Sequence, residues 1–107
     1  MTYNCAIIGY GYMGKIRHHV VNRISNIKIR YIVDSNESKI PKGKDYKIIN
    51  DYEKINFNKI DIVFVCTPNN ISPKIVKKFL ILNKFVFCEK PPAKNLKDII
   101  KIKKIKN

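Results

Sequence analysis

A chain of 107 residues, 45% of them hydrophobic, fits one small domain with a buried core. The net charge of +14 raises a polyanion partner, but the 22 basic residues run the length of the chain and only three are arginine. Lysine, isoleucine and asparagine are all abundant and all have AT-rich codons, so a compositional bias accounts for the charge and no nucleic-acid partner is expected. No segment approaches the ~20 apolar residues that span a bilayer. No basic leader precedes the first apolar run, so the expected location is the cytoplasm, away from membranes.

The first apolar run, Tyr3 to Ile8, is short and ends at glycine, as a buried parallel strand does. Gly9 to Gly14 forms a glycine-rich turn. From Met13 to about Ile24, the residues Met13, Ile16, Val20, Val21 and Ile24 recur at helical spacing. Ile27 to Val33 reads as a second strand closed by Asp34, which completes a unit of the size of a βαβ motif. Ser35 to Asp45 is polar, with Pro41 and Gly43 as breakers, and predicts a loop with room for one helical turn. Tyr46 to Ile49 fits a short third strand and Tyr52 to Ile55 a helical turn. Ile60 to Cys66 is rich in β-branched and aromatic residues and is the strongest strand in the chain. Thr67-Pro68-Asn69 ends it.

Ile71 to Leu82 has helical spacing, with Ser72 as N-cap, Pro73 at the first helical position and Asn83 as the left-handed closing residue. Phe85 to Cys88 makes a fifth strand, stopped by Glu89-Lys90-Pro91-Pro92, and Leu96 to Ile105 a last, lysine-rich helix. The alternation predicts the α/β class: a Rossmann-type, doubly wound, mostly parallel sheet of about five strands, truncated before the sixth. Residues 1–107 then form one dinucleotide-binding domain, with no second domain present. An uncovered sheet edge leaves homo-oligomerisation open. Cys5, Cys66 and Cys88 lie in apolar runs, odd in number and at no metal-binding spacing, and read as reduced core residues.

Gly9-Tyr10-Gly11-Tyr12-Met13-Gly14 follows a strand and opens a helix, the setting that gives this glycine spacing its weight. Gly9 would allow the tight turn, Gly11 the close approach of a pyrophosphate, and Gly14 the packing of helix on sheet. The helix N-terminus supplies N–H groups and partial positive charge to phosphates. Asp34 stands twenty residues beyond Gly14, where a carboxylate accepts the adenosine ribose hydroxyls and repels a 2′-phosphate. The cofactor expected is therefore NAD, while Ser35, Asn36 and Lys39 keep NADP open.

The ordered combination of the glycine turn, Asp34, Val63-Phe64-Val65-Cys66-Thr67-Pro68-Asn69 and Val86-Phe87-Cys88-Glu89-Lys90-Pro91 resembles the Gfo/Idh/MocA oxidoreductases, from Tyr3 to about Lys104. That resemblance implies hydride transfer between a nicotinamide dinucleotide and a sugar- or cyclitol-like hydroxy compound. It implies that Tyr12 and Met13 line the pyrophosphate and nicotinamide, and that Thr67, Pro68 and Asn69 touch the pyrophosphate and ribose. It further implies that Glu89 lies near the nicotinamide ribose and that Lys90 faces the substrate hydroxyl as the catalytic residue. No metal is implied. The family often carries a histidine where this chain has Ser72. His18 stands where a histidine is also frequent, but His19 beside it leaves the register ambiguous, and both stay outside the catalytic set. The family's substrate-binding domain has no counterpart in these residues, so the expectation is cofactor binding without turnover until such a domain is supplied. The alternatives are a free-standing, non-catalytic NAD(P)-binding sensor or regulatory module, and a truncated remnant.

Overall fold

The computed structural model describes residues 1–68 and 70–88. Five strands, β1 (Tyr3–Ile8), β2 (Ile27–Val33), β3 (Lys47–Ile49), β4 (Ile62–Val65) and β5 (Phe85–Cys88), form one sheet in the order β3-β2-β1-β4-β5. Every neighbouring pair is parallel. α1 (Tyr12–Val21) joins β1 to β2, and α2 (Ser72–Ile81) joins β4 to β5.

Strand side chains alternate between faces, and the core divides accordingly. Ala6, Ile8, Val63 and Val65 pack with Ile75, Val76 and Phe79 of α2. Cys5, Ile7, Ile29, Ile32 and Ile62 pack with Val21 of α1 on the other face. Two helices on opposite faces of a parallel sheet make the doubly wound arrangement expected from the alternation of strands and helices. The central strand β1 is fully buried from Cys5 to Ile7, which is why it reads as a continuous apolar run.

Local boundaries differ from the expectation where tertiary contacts decide them. α1 stops at Val21, because Arg23 and Ile24 donate to Val20 and Val21 in tightened i to i−3 bonds. Val20 and Ile24 are exposed, so the apolar stripe toward the sheet is shorter than its spacing suggested. The loop after β2 holds one 3-10 turn, Glu37–Lys39, and the segment before β4 holds two, Tyr52–Lys54 and Phe57–Lys59, the second unforeseen. These two turns set Tyr52 and Phe57 around the buried Phe79 ring, and Lys78 lies 4.7 Å from the Phe57 centroid while bonding Glu53.

Ser72 is not the N-cap of α2. Its hydroxyl is buried and turned back toward Thr67 and Pro68, and the cap position falls to Ile71 with no side-chain bond. Asn83 does take the left-handed conformation, at φ 61°. The helix expected over Leu96 to Ile105 lies outside the described residues.

Candidate functional site

The C-terminal ends of β1, β2 and β4 open into a groove of about 630 Å³. At its floor β1 turns through Gly9, whose amide donates to Val33 O at 2.7 Å. Gly9 has φ +94°, and a Cβ there would sit 2.7 Å from the Cys66 carbonyl oxygen, so backbone conformation and space both require glycine. Gly14, buried in the first turn of α1, lies against the Gly9 carbonyl, which a side chain would strike. Gly14 is thus a packing residue behind the groove and does not line it.

Gly11 is different. Its backbone is extended, at φ −83° and ψ −154°, which any residue adopts, and a Cβ there would meet nothing within 4 Å. The fold does not need a glycine at this position; a ligand approaching the backbone would. Gly11 is also the N-cap of α1 and offers no side chain to the free N–H groups of the first turn, which carries no acidic residue. An open backbone, unclaimed N–H donors and the positive end of a helix together suit a phosphate group.

Asp34 closes β2 at the rim. One carboxylate oxygen accepts the Tyr10 N–H at 2.7 Å and the other the Asn36 N–H at 2.9 Å. It therefore fastens the glycine turn to the end of β2, while each oxygen keeps a lone pair for a further donor. The Tyr10 side chain is buried in the opposite direction, its hydroxyl 2.7 Å from His18 Nδ1, and the Tyr46 ring stands edge-on to His18. Burial, and then the neighbouring His19, hold the His18 imidazolium below its ordinary range, so His18 serves as a neutral strut beneath the turn.

Across the groove, β4 ends at the Thr67-Pro68 corner. Ser72 Oγ lies 2.8 Å from both the hydroxyl and the carbonyl oxygen of Thr67, and 3.1 Å from Pro68 O. With the serine proton directed to a carbonyl, the threonine hydroxyl donates to Ser72, and the corner is tied to the start of α2.

The groove thus gathers Gly9, Gly11, Tyr12, Met13, Asp34, Thr67 and Pro68 of the expected set. Asn69, Glu89 and Lys90 lie outside the described residues. The sequence reading missed Asn50, Asp51, Tyr52, Cys66, Ile71 and Ile75, which also line it. The first three follow β3, and the rule that ligands gather at the C-terminal ends of parallel strands could have marked them. Among the cysteines only Cys5 is buried, its thiol pushed up to about 12 by loss of solvent, whereas Cys66 is half-buried at the groove wall. Among the described residues no cluster of side chains could hold a metal ion, and no helix is long and apolar enough to cross a membrane.

Residues 3–107 match the family model described as the oxidoreductase family, NAD-binding Rossmann fold, of the Gfo/Idh/MocA proteins. The uncharacterised oxidoreductase YrbE of Bacillus subtilis is 33% identical over 95 residues, covering 84% of this chain and 28% of that protein. The myo-inositol 2-dehydrogenase of Thermotoga maritima is 30% identical over 100 residues, covering 87% of this chain and 29% of that protein. The scyllo-inositol dehydrogenase of Lactobacillus casei, solved with NAD(H) and scyllo-inositol, superposes with a TM-score of 0.87 at 21% identity. That superposition covers 98% of this chain and 33% of the other. The chain therefore spans under a third of the length of these relatives.

Proposed function

The chain belongs to the Gfo/Idh/MocA oxidoreductase family, as its NAD-binding Rossmann domain, and on that premise we propose how its residues hold NAD and which reaction they serve. The dinucleotide lies across the C-terminal ends of β1, β2 and β4. Its pyrophosphate rests on the Gly11 backbone and the first-turn N–H groups of α1, with Tyr12 and Met13 alongside. Asp34 accepts the adenosine ribose hydroxyls with its remaining lone pairs. The same carboxylate, fastened by two backbone N–H groups, repels a 2′-phosphate, which favours NAD over NADP. Thr67, Pro68 and Asn69 border the pyrophosphate and ribose from the other side, and Glu89 the nicotinamide ribose.

The reaction served is oxidation or reduction at a hydroxyl carbon of a sugar- or cyclitol-like compound, a reading supported by the inositol dehydrogenase relative. Bound NAD supplies the hydride acceptor. Lys90 exchanges the hydroxyl proton, and a lysine beside a cationic ring has its ammonium form disfavoured, which suits that exchange. A reducing compartment, the cytoplasm, suits the odd number and apolar sequence settings of Cys5, Cys66 and Cys88.

The observation that carries the cofactor reading is Gly11, a glycine the fold does not need at the point where phosphate would meet backbone. Thermal unfolding with NAD, NADH, NADP and NADPH tests it. A ligand at about 100 times its dissociation constant adds roughly 2.7 kcal/mol of stability, read as a raised midpoint. The expected result is a shift with NAD(H) that disappears in Gly11→Asp, while that variant unfolds at the parent's ligand-free midpoint. A folded chain that shifts with none of the four sinks the proposal.

A further inference from the structure

At the opposite end of the sheet, β2 and β1 fall out of register. Cys5 pairs with Ile29 and Ala6 with Tyr31, so Arg30 is an extra residue with no partner on β1. Such bulges re-aim a side chain. Arg30 is exposed, and its Nε donates to Asn4 Oδ1 at 2.8 Å. Among the described residues its guanidinium makes no other bond, which leaves the four N–H groups of its two terminal nitrogens available to an acceptor. Arg30 lines a groove of about 700 Å³ on the N-terminal side of the sheet.

Lys44, Lys47 and Lys59 join Arg30 in the lining, against the single carboxylate of Asp45. The other acid nearby, Asp61, accepts the Asn4 N–H. Lysines alone would say little in a chain with this composition. An arginine oriented by a bulge and held by an asparagine is a different matter, because its fork matches the paired oxygens of a phosphate. The volume falls within the range of small-molecule sites.

We infer that this groove is a second anion site, separate from the dinucleotide groove, that takes a small molecule through a pyrophosphate or similar polyphosphate group. Arg30 is its anchor, Asn4 the positioning residue, and Lys44, Lys47 and Lys59 supply the balancing charge.

The test titrates inorganic pyrophosphate into the full chain at constant ionic strength, by calorimetry and by unfolding midpoint. Pyrophosphate could also enter at the glycine turn, so the titration is repeated in Gly11→Asp and in Arg30→Ala. Binding should persist in Gly11→Asp. In Arg30→Ala it should weaken about ten- to hundred-fold, the loss expected for charge-assisted hydrogen bonds. Arg30→Lys, with charge but no fork, should recover only part. NAD binding should show the reverse pattern, lost in Gly11→Asp and unchanged in Arg30→Ala. Should Arg30→Ala fail to fold, Lys47→Ala gives the same comparison with a smaller loss. The inference is overturned if pyrophosphate binds Arg30→Ala as well as the parent, or if its binding disappears in Gly11→Asp. It is overturned equally if single-stranded RNA displaces pyrophosphate with an affinity that grows with its length, since the groove would then be a stretch of polyanion surface.

Discussion

The β1–α1–β2 side of the sheet and the β4–α2–β5 side share a topology but are held in different ways. On the first, the strand ends are fixed by directed polar bonds: Gly9 to Val33, and Asp34 to both Tyr10 and Asn36. On the second, packing dominates, with the fully buried Phe79 ringed by Tyr52 and Phe57, while the outer strand β5 leaves Phe85 and Phe87 exposed. The first side fixes the direction of the turn, and the second is built around one large buried ring. A turn that must present backbone to a ligand needs the first kind of construction, since apolar contact does not fix the direction of an N–H.

If adhesion sits with α2, Phe79→Ala should be the most damaging change, costing about 3–5 kcal/mol in urea unfolding, with NAD still bound by whatever fraction remains folded. The reverse signature belongs to Gly14→Val, which drives a side chain into the Gly9 carbonyl. It should cost about 1–3 kcal/mol and remove the NAD-induced midpoint shift, because it moves the turn itself. Acid should loosen the polar side through His18. Burial disfavours the His18 imidazolium, so the unfolded chain takes up that proton more readily than the folded one. Stability from His18 is complete above its ordinary pKa of 6.5 and is lost as pH falls through the lower folded value. Midpoints recorded from pH 7.5 to 5 should fall less in His18→Gln, with Tyr10, Tyr46, His19, Lys15 and Lys39 unchanged around it. Smallest of all, Phe85→Ser on exposed β5 should shift stability by only about 0.5 kcal/mol. A loss near that of Phe79→Ala would dissolve the contrast.

What the sequence made legible were local backbone demands. A glycine forced to positive φ, an asparagine closing a helix and an acid at a strand end each reflect a few adjacent residues, and Gly9, Asn83 and Asp34 lie where they were expected. The parallel sheet followed from the alternation of strands and helices. The features that were not legible depend on partners distant in the chain. Nothing near Arg30 signals the bulge, which arises from how β2 pairs with β1. Ser72 has the composition of a cap, yet its buried hydroxyl answers to a corner five residues earlier. Ile24 keeps helical spacing with Val21, but i to i−3 bonds had already ended the helix.

The position of β1 at the centre of the sheet also carries a consequence in time. Its one edge pairs with β2, made soon after it, but its other edge waits for β4, which leaves the ribosome roughly fifty residues later. At synthesis rates of about 5–20 residues per second, that interval is on the order of three to ten seconds. Throughout it the central strand of the sheet has an unpaired side, so yield in the cell should respond to translation speed and to chaperone supply between β3 and β4 more than anywhere else in the described chain.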